Sequence, residues 1–184
     1  QGANPRNIWQ IDRTTGGQTS VGTFSIPGTS GNLNGVGIYD ADTDGYGEVM
    51  TGVQPANTGT ARSIYQYSSI TGQTTLLGAG VAGAAVTHGA INQANGHYYY
   101  GGVTGGTLNV YGFNTTTNQS MGLVASGAIP NGGGNGDWAF DSQGNLYVVA
   151  RGSGAGTVNV VSVIDQKIPT SAGTPVAITG TELV

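Results

Sequence analysis

The sequence predicts an all-β fold made of repeated four-stranded antiparallel sheets, and three observations support this prediction. A similar pattern of residues returns about every 50 residues along the chain. Glycine occupies 35 of the 184 positions and only 8% of the residues are charged, which is typical of a turn-rich chain with short strands. No stretch has apolar residues at helical spacing without an interrupting Gly or Pro, so we predict no helices.

Composition also excludes several classes of function. A chain of 184 residues is long enough for one compact domain with a substantial core. Five Lys and Arg residues are too few to neutralise a row of phosphates, so we expect no nucleic-acid partner. The absence of cysteine excludes disulfides, a thiolate zinc site and a cysteine nucleophile. No run of 18 apolar residues is present, so we expect no membrane insertion.

The repeat contains a strand, a turn rich in Thr, Gly and Asn, and a second short strand. Matching strand positions hold Ile8, Trp9 and Ile11 in the first copy, Ile64, Tyr65 and Tyr67 in the second, and Val110, Tyr111 and Phe113 in the third. A weaker fourth copy starts at Val161, and the turns match at Gly16, Gly72 and Asn118. Each copy therefore predicts a β-hairpin.

A second kind of hairpin lies between these copies, beginning at Gly35, at Gly89 and in the segment GDWAFDSQGNLYVVA. Two alternating hairpins form a four-stranded unit that is too small to bury both of its faces, so neighbouring units must stack. Four strands at this period are typical of a β-propeller blade. We therefore predict one β-propeller-like domain; the alternative is a β-sandwich in which the hairpins resemble one another by coincidence.

The repeats divide residues 1–184 into about three and a half blades. Residues 1–24 supply half a blade, and full blades are predicted at 31–80, 84–126 and 132–181. Propellers usually have four to eight blades and close into a ring. Because open sheet edges favour association, we expect self-association or continuation of the propeller by another chain segment.

One acidic cluster predicts a metal site in the segment YDADTDGYGEV, and it contains four of the nine acidic residues: Asp40, Asp42, Asp44 and Glu48. The pattern Asp-x-Asp-x-Asp-Gly places oxygen ligands at loop positions 1, 3 and 5, and the carbonyl of Tyr46 falls at position 7. Carboxylates this close repel one another unless a cation joins them. The sequence thus predicts calcium; the alternative is a turn whose carboxylates cap backbone N–H groups.

The segment VGIYDADTDGYGEVMTGVQPA resembles the calcium loops of FG-GAP propeller repeats, the type found in integrin α-subunits. That resemblance implies that calcium is bound by the side chains of Asp40, Asp42, Asp44 and Glu48 and by the backbone carbonyl of Tyr46. Glu48 stands where the family has Asp, which lengthens the ninth-position ligand by one methylene.

A wider resemblance covers most of the chain. The repeats NGDWAFDSQGNLYVVA and IYQYSSITGQTTLLG are similar to propeller-type modules of large bacterial cell-surface proteins and adhesins. The resemblance implies a secreted or cell-wall-attached protein, a structural or adhesive role without catalysis, and a protein or glycan ligand bound by rim loops.

The sequence also allows two other functions. A carbohydrate-binding propeller would use exposed aromatic rings; in the run Tyr98–Tyr100 side chains alternate between faces, so we expect at least one to be exposed. A propeller lyase or glycosidase needs two carboxylates, or a histidine and an arginine, that converge on the central channel. The two histidines, His88 and His97, are expected at turn or edge positions, and no catalytic motif is present, so we predict no enzyme and no catalytic residues.

Overall fold

The computed structural model describes residues 5–26, 33–40, 49–54, 62–128, 132–141, 144–152, 157–164 and 176–179. These residues form strands, turns and connecting segments, and none of them is helical. The strands are β1 (Arg6–Ile11), β2 (Gln18–Phe24), β3 (Asn34–Tyr39), β4 (Val49–Gln54), β5 (Ser63–Ser68), β6 (Gln73–Ala79), β7 (His88–Ile91), β8 (Tyr98–Thr104), β9 (Thr107–Asn114), β10 (Gln119–Ala128), β11 (Gly132–Phe140), β12 (Asn145–Gly152), β13 (Thr157–Ile164) and β14 (Val176–Thr179).

The strands form four antiparallel sheets in sequence order. A two-stranded sheet, β1–β2, is the N-terminal hairpin. Three four-stranded sheets follow: blade 1 (β3–β6), blade 2 (β7–β10) and blade 3 (β11–β14). The first strands of the blades lie side by side, since β3 contacts β7 and β7 contacts β11. The predicted all-β fold of three four-stranded blades and one half blade is confirmed.

The Thr-Gly turns close in the same way in different sheets. The side chains of Asp12 and Asn114 each accept two hydrogen bonds, of 2.8 to 3.0 Å, from backbone N–H groups of their own turns. Each turn then needs a residue with positive φ, and the matching positions hold Gly16 at 70°, Gly72 at 67° and Asn118 at 56°. Glycine and asparagine are the residues that adopt this conformation at least cost.

A β-bulge also recurs at one position of the repeat. In the N-terminal hairpin, Ile8 pairs with Gly22 whereas Trp9 pairs with Ser20, so one residue of β2 has no opposite partner. The same shift occurs between β5 and β6 and between β9 and β10. Bulges bend and twist the strand that carries them, and here that strand is always the last one of its sheet. At this repeat position the residues left without an opposite partner are Val21, Leu77 and Val124; Met121 lies in a second bulge of β10.

Blade 2 is covered on both faces, which corrects the expectation for its tyrosines. Tyr98 and Tyr100 belong to the apolar cluster shared with blade 1, whereas Tyr99 belongs to the cluster shared with blade 3. The three side chains are 0%, 0% and 2% exposed, respectively. The prediction that at least one would be exposed was therefore wrong, because alternation on a strand exposes a side chain only when one face of the sheet meets solvent.

An aromatic ring packed on a glycine recurs where one sheet meets the next. Tyr67 of β5 reaches Gly22 of β2, where an added Cβ would overlap the tyrosine hydroxyl. That hydroxyl also donates a 3.4 Å hydrogen bond to the Val21 carbonyl. Phe113 of β9, at the matching position of the next repeat, lies against Gly78 of β6, where a Cβ would be 3.3 Å from the ring. We call these two contacts the aromatic–glycine joints.

Candidate functional site

The predicted calcium loop begins at Asp40, directly after β3. Its backbone N–H donates to Oε1 of Gln93 over 3.2 Å, and Nε2 of Gln93 donates to the Ile38 carbonyl over 2.7 Å. Gln93 belongs to the turn between β7 and β8, so its side-chain amide ties blade 2 to the last residues before the loop. The other predicted ligands, Asp42, Asp44, Tyr46 and Glu48, lie outside the described residues.

The matching turns of the other blades show how the first loop position is used there. Asn92 accepts a 2.9 Å hydrogen bond from the N–H of Ala94. Asp141 accepts 2.8 Å bonds from both the backbone N–H and the side-chain amide of Asn145. In both cases the side chain closes its own turn, which is the role that the alternative interpretation gives to Asp40. Within the described part of the chain, no group of three His, Cys, Asp or Glu residues is placed to hold a metal.

A second candidate site lies where the first strands of the three blades meet. Val36 on β3, His88 on β7 and Asp137 on β11 each stand four residues before the matching turn positions Asp40, Asn92 and Asp141. Because these strands lie side by side, matching positions come together. The three residues line one cavity of about 260 Å³ together with Gly35, Gly89 and Gly136.

His88 is held in this cavity by contacts on both sides. It is 8% exposed, and its ring stacks on Trp138 with a centroid distance of 6.1 Å and an interplanar angle of 20°. Its Nδ1 lies 2.7 Å from the Thr87 hydroxyl. Burial lowers the pKa of His88, while the Asp137 carboxylate and a hydrogen bond to the Gly136 backbone oppose that shift. Burial therefore favours the neutral form of the imidazole.

A second cavity, of about 310 Å³, continues along the same strands and is lined by Val36, Gly89 and Asp137 again. Its further lining is largely apolar and includes Ile38, Trp138 and Phe140. The described lining of the two cavities thus offers one carboxylate, one imidazole and the side-chain amide of Gln93 among apolar and backbone groups, and contains no arginine. Sequence reasoning missed the approach of His88 to Asp137; extending the repeat register to the first strands would have found it.

No protein-family model matches the chain, and no curated protein matches it significantly. Similar solved structures include a nidogen/laminin complex (13% identity, TM-score 0.53), TolB from Acinetobacter baumannii (17%, 0.51) and an exo-β-1,3-galactanase from Phanerochaete chrysosporium (15%, 0.50). All three contain β-propellers. The chain has a β-propeller fold.

The similarity covers 95% to 98% of this propeller chain, which spans 57%, 38% and 43% of the three matched chains, respectively. At such low identity the similarity shows the fold alone. In the part of the chain that the structure describes, no helix is long and apolar enough to cross a membrane.

Proposed function

We propose that this propeller is a non-catalytic extracellular module with a structural or adhesive role, stabilised by one calcium ion and bound to its partner through rim loops. The observation that carries the proposal is the attachment of Gln93 to Ile38 and Asp40. It fixes the backbone from which the acidic loop starts. A ligand set that starts from a fixed backbone loses less conformational entropy when it closes around an ion.

The length and charge of the loop support a metal over a capped turn. Nine residues, 40–48, separate β3 from β4, whereas six residues connect β7 to β8 and four connect β11 to β12. The shorter turns close with Asn or Asp side chains that accept hydrogen bonds from backbone N–H groups of the same turn. The longer loop carries three further carboxylates, on Asp42, Asp44 and Glu48. Calcium takes six to eight oxygen ligands and suits such a set.

The decisive experiment is a calorimetric titration of metal-stripped protein with calcium, combined with thermal melts. We expect one-site binding that raises Tm and is lost in Asp42→Asn and in Asp44→Asn, because each removes a charged ligand without a change of shape. The matched controls, Asp12→Asn and Asp141→Asn, lie in turns that close on their own backbone. An unchanged Tm with calcium, or equal binding by all four variants, would contradict the proposal.

Glycan binding is the second candidate, and Trp9 favours it. Its side chain is 52% exposed, whereas Trp138 and Tyr98–Tyr100 are buried. An exposed indole can stack on a sugar ring. A glycan array probed with the wild-type protein and with Trp9→Ala tests this: a signal that survives the substitution, or no signal at all, rejects a site at Trp9.

A further inference from the structure

The two cavities at the first strands form one groove, because they share Val36, Gly89 and Asp137 as lining residues. We call it the central groove. It starts at His88 and Asp137 and continues along the same three strands to Phe140. At about 3.3 Å per residue, the step from Asp137 to Phe140 spans about 10 Å of β11. The groove is therefore long enough for an extended side chain, and neither of the functions proposed above uses it.

Backbone groups of the first strands form part of its wall. The strands β3, β7 and β11 are terminal in their sheets, and in an antiparallel ladder alternate residues direct their N–H and carbonyl groups away from the partner strand. Because the Asp141 N–H bonds the Asn145 carbonyl across the ladder, Phe140 and Trp138 are the residues that point away from β12. Both line the groove, which therefore contains backbone hydrogen-bonding groups.

The carboxylate of Asp137 stands at one end of this wall. Its Oδ1 accepts a 2.8 Å hydrogen bond from the Trp138 N–H, which fixes the side chain in place. No lysine or arginine is among the described lining residues, and the chain as a whole has a net charge of −4. The groove therefore attracts cations and repels anions.

The other two polar side chains of the lining are already engaged by the protein. His88 lies 2.7 Å from the Thr87 hydroxyl through Nδ1 and also hydrogen-bonds the Gly136 backbone. Burial lowers its pKa, so it is a poor counterion for Asp137. The side-chain amide of Gln93 is held by backbone groups at the end of β3. Asp137 is thus the polar side chain of the described lining that is best placed to meet a ligand.

The shape of the groove favours a compact cation on an apolar stem. Val36, Ile38 and Phe140 supply apolar lining beyond the carboxylate. A guanidinium binds best to two carboxylate oxygens at once, but one oxygen of Asp137 already accepts the Trp138 N–H. An ammonium group is a point charge with three donors, which suits one carboxylate oxygen and neighbouring carbonyls. Lysine carries this group on a four-carbon apolar stem.

We propose that the central groove binds a lysine side chain of the partner polypeptide, with its ammonium group at Asp137 and its stem against Val36 and Ile38. Ile38 and Phe140 lie near the ends of β3 and β11, next to the turns that follow these strands. The lysine therefore enters from the side of these turns, and its backbone lies against them. The inference rests on the proposed role as a binding module and names one chemical feature of the partner.

The test uses Nα-acetyl-lysine N-methylamide as the probe and follows the amide signals of isotope-labelled protein by NMR. We expect saturable shifts at Gly89, Asp137 and Trp138 in the millimolar range, because a single side chain makes few contacts. The Nζ-acetylated probe keeps the stem but lacks the charge, so it should bind about tenfold or more weakly. The matching arginine probe should bind about threefold or more weakly.

The matched protein variants are Asp137→Asn and Asp12→Asn. Each removes one negative charge, but Asp12 lies in the N-terminal hairpin, where it closes its own turn. Asparagine at position 137 keeps an oxygen for the Trp138 N–H, so the local backbone should be retained. Asp137→Asn should weaken the lysine probe about tenfold and Asp12→Asn by less than about twofold. If Asp137→Asn fails to fold, the charged and acetylated probes on wild-type protein still decide.

A second readout locates the ammonium group beside Asp137. Burial lowers the pKa of His88 and the charge of Asp137 opposes that shift, so an ammonium group at Asp137 should lower the pKa of His88 further. NMR titration of the imidazole with and without saturating lysine probe measures this change. The Nζ-acetylated probe should leave the titration of His88 unchanged.

Three results would overturn the inference: no saturable shifts at the groove, equal binding of the Nζ-acetylated probe, or full binding by Asp137→Asn. The second result would instead indicate an uncharged ligand. All three leave the calcium titration untouched when it is run without probe. Loss of calcium binding with retained lysine binding would reject the calcium proposal alone.

Discussion

The N-terminal hairpin and the hairpin β9–β10 of blade 2 share one local design and differ in burial. Both have a side-chain-capped turn, a positive-φ residue after it and a bulge in the second strand. Yet Ile11 is largely exposed and Phe113 is fully buried at the same repeat position. Local hydrogen bonds thus form each hairpin, whereas its neighbours determine how much of it is buried.

The largest effect should come from truncating the buried member of this pair. Phe113→Ala removes a ring packed among Ile64, Tyr98 and Gly78, so the free energy of unfolding should fall by about 3–5 kcal/mol. Ile11→Ala removes a largely exposed side chain and should cost less than about 0.5 kcal/mol. Urea unfolding followed by circular dichroism measures both. Equal losses would show that the hairpin is as well covered as blade 2.

The next effect tests the aromatic–glycine joint between the N-terminal hairpin and blade 1. In Gly22→Ala the new methyl group overlaps the Tyr67 hydroxyl, so we expect a loss of about 1–3 kcal/mol. Removing that hydroxyl with Tyr67→Phe should restore part of the loss in the double variant. Gly78→Ala is the matched control with milder contacts, at 3.2 and 3.3 Å, and should cost less. Simple additivity of the two substitutions would contradict direct contact.

A smaller effect should be equal in the two regions, because it depends on local backbone alone. Gly16 and Gly72 both have φ near 70°, and an added Cβ would meet nothing within 4 Å at either. Alanine should therefore cost about 1 kcal/mol at each position, from backbone strain without a clash. Asn118→Gly should change stability by less than about 0.5 kcal/mol, since asparagine already holds this conformation. Clearly unequal costs in urea unfolding would show that the turns differ.

The smallest expected effect is a pH dependence of stability. It arises at His88, where the first strands of the blades meet, and not in the N-terminal hairpin. Burial holds the pKa of His88 below its ordinary value of 6.5, so the unfolded chain binds a proton more readily. Stability should therefore fall as the pH drops below about 6.5 and level off below the lowered pKa of the folded state. Urea unfolding between pH 7.5 and 5 should show this slope in wild-type protein and lose it in His88→Gln. An unchanged slope in that variant would assign it to other groups.

Repetition made much of the fold predictable. Matching Ile8, Ile64 and Val110 placed strands β1, β5 and β9 correctly, and the predicted turns at Gly16, Gly72 and Asn118 are present. These features are local, and each is specified by a few adjacent residues. The predicted calcium ligands are a different case, since all but Asp40 lie outside the described residues.

Contacts between sheets were not predictable in the same way. The burial of Tyr99 depends on Phe140 of blade 3, whose ring centroid lies 5.1 Å from its own. The lowered pKa of His88 likewise depends on its burial, and its ring stacks on Trp138, 50 residues away in the sequence. A strand pattern gives the direction in which a side chain points, but the identity of the element it meets comes from the assembled sheets.

The aromatic–glycine joints have a consequence for how such a chain can lengthen or shorten over evolutionary time. Each joint uses a ring from the third strand of one repeat and a glycine from the fourth strand of the repeat before it. A blade that carries both residues presents the same fitting surface at its front and at its back. Duplication or deletion of a whole repeat would therefore join surfaces that already fit, and recombination between repeats can change the number of blades without inventing a new contact.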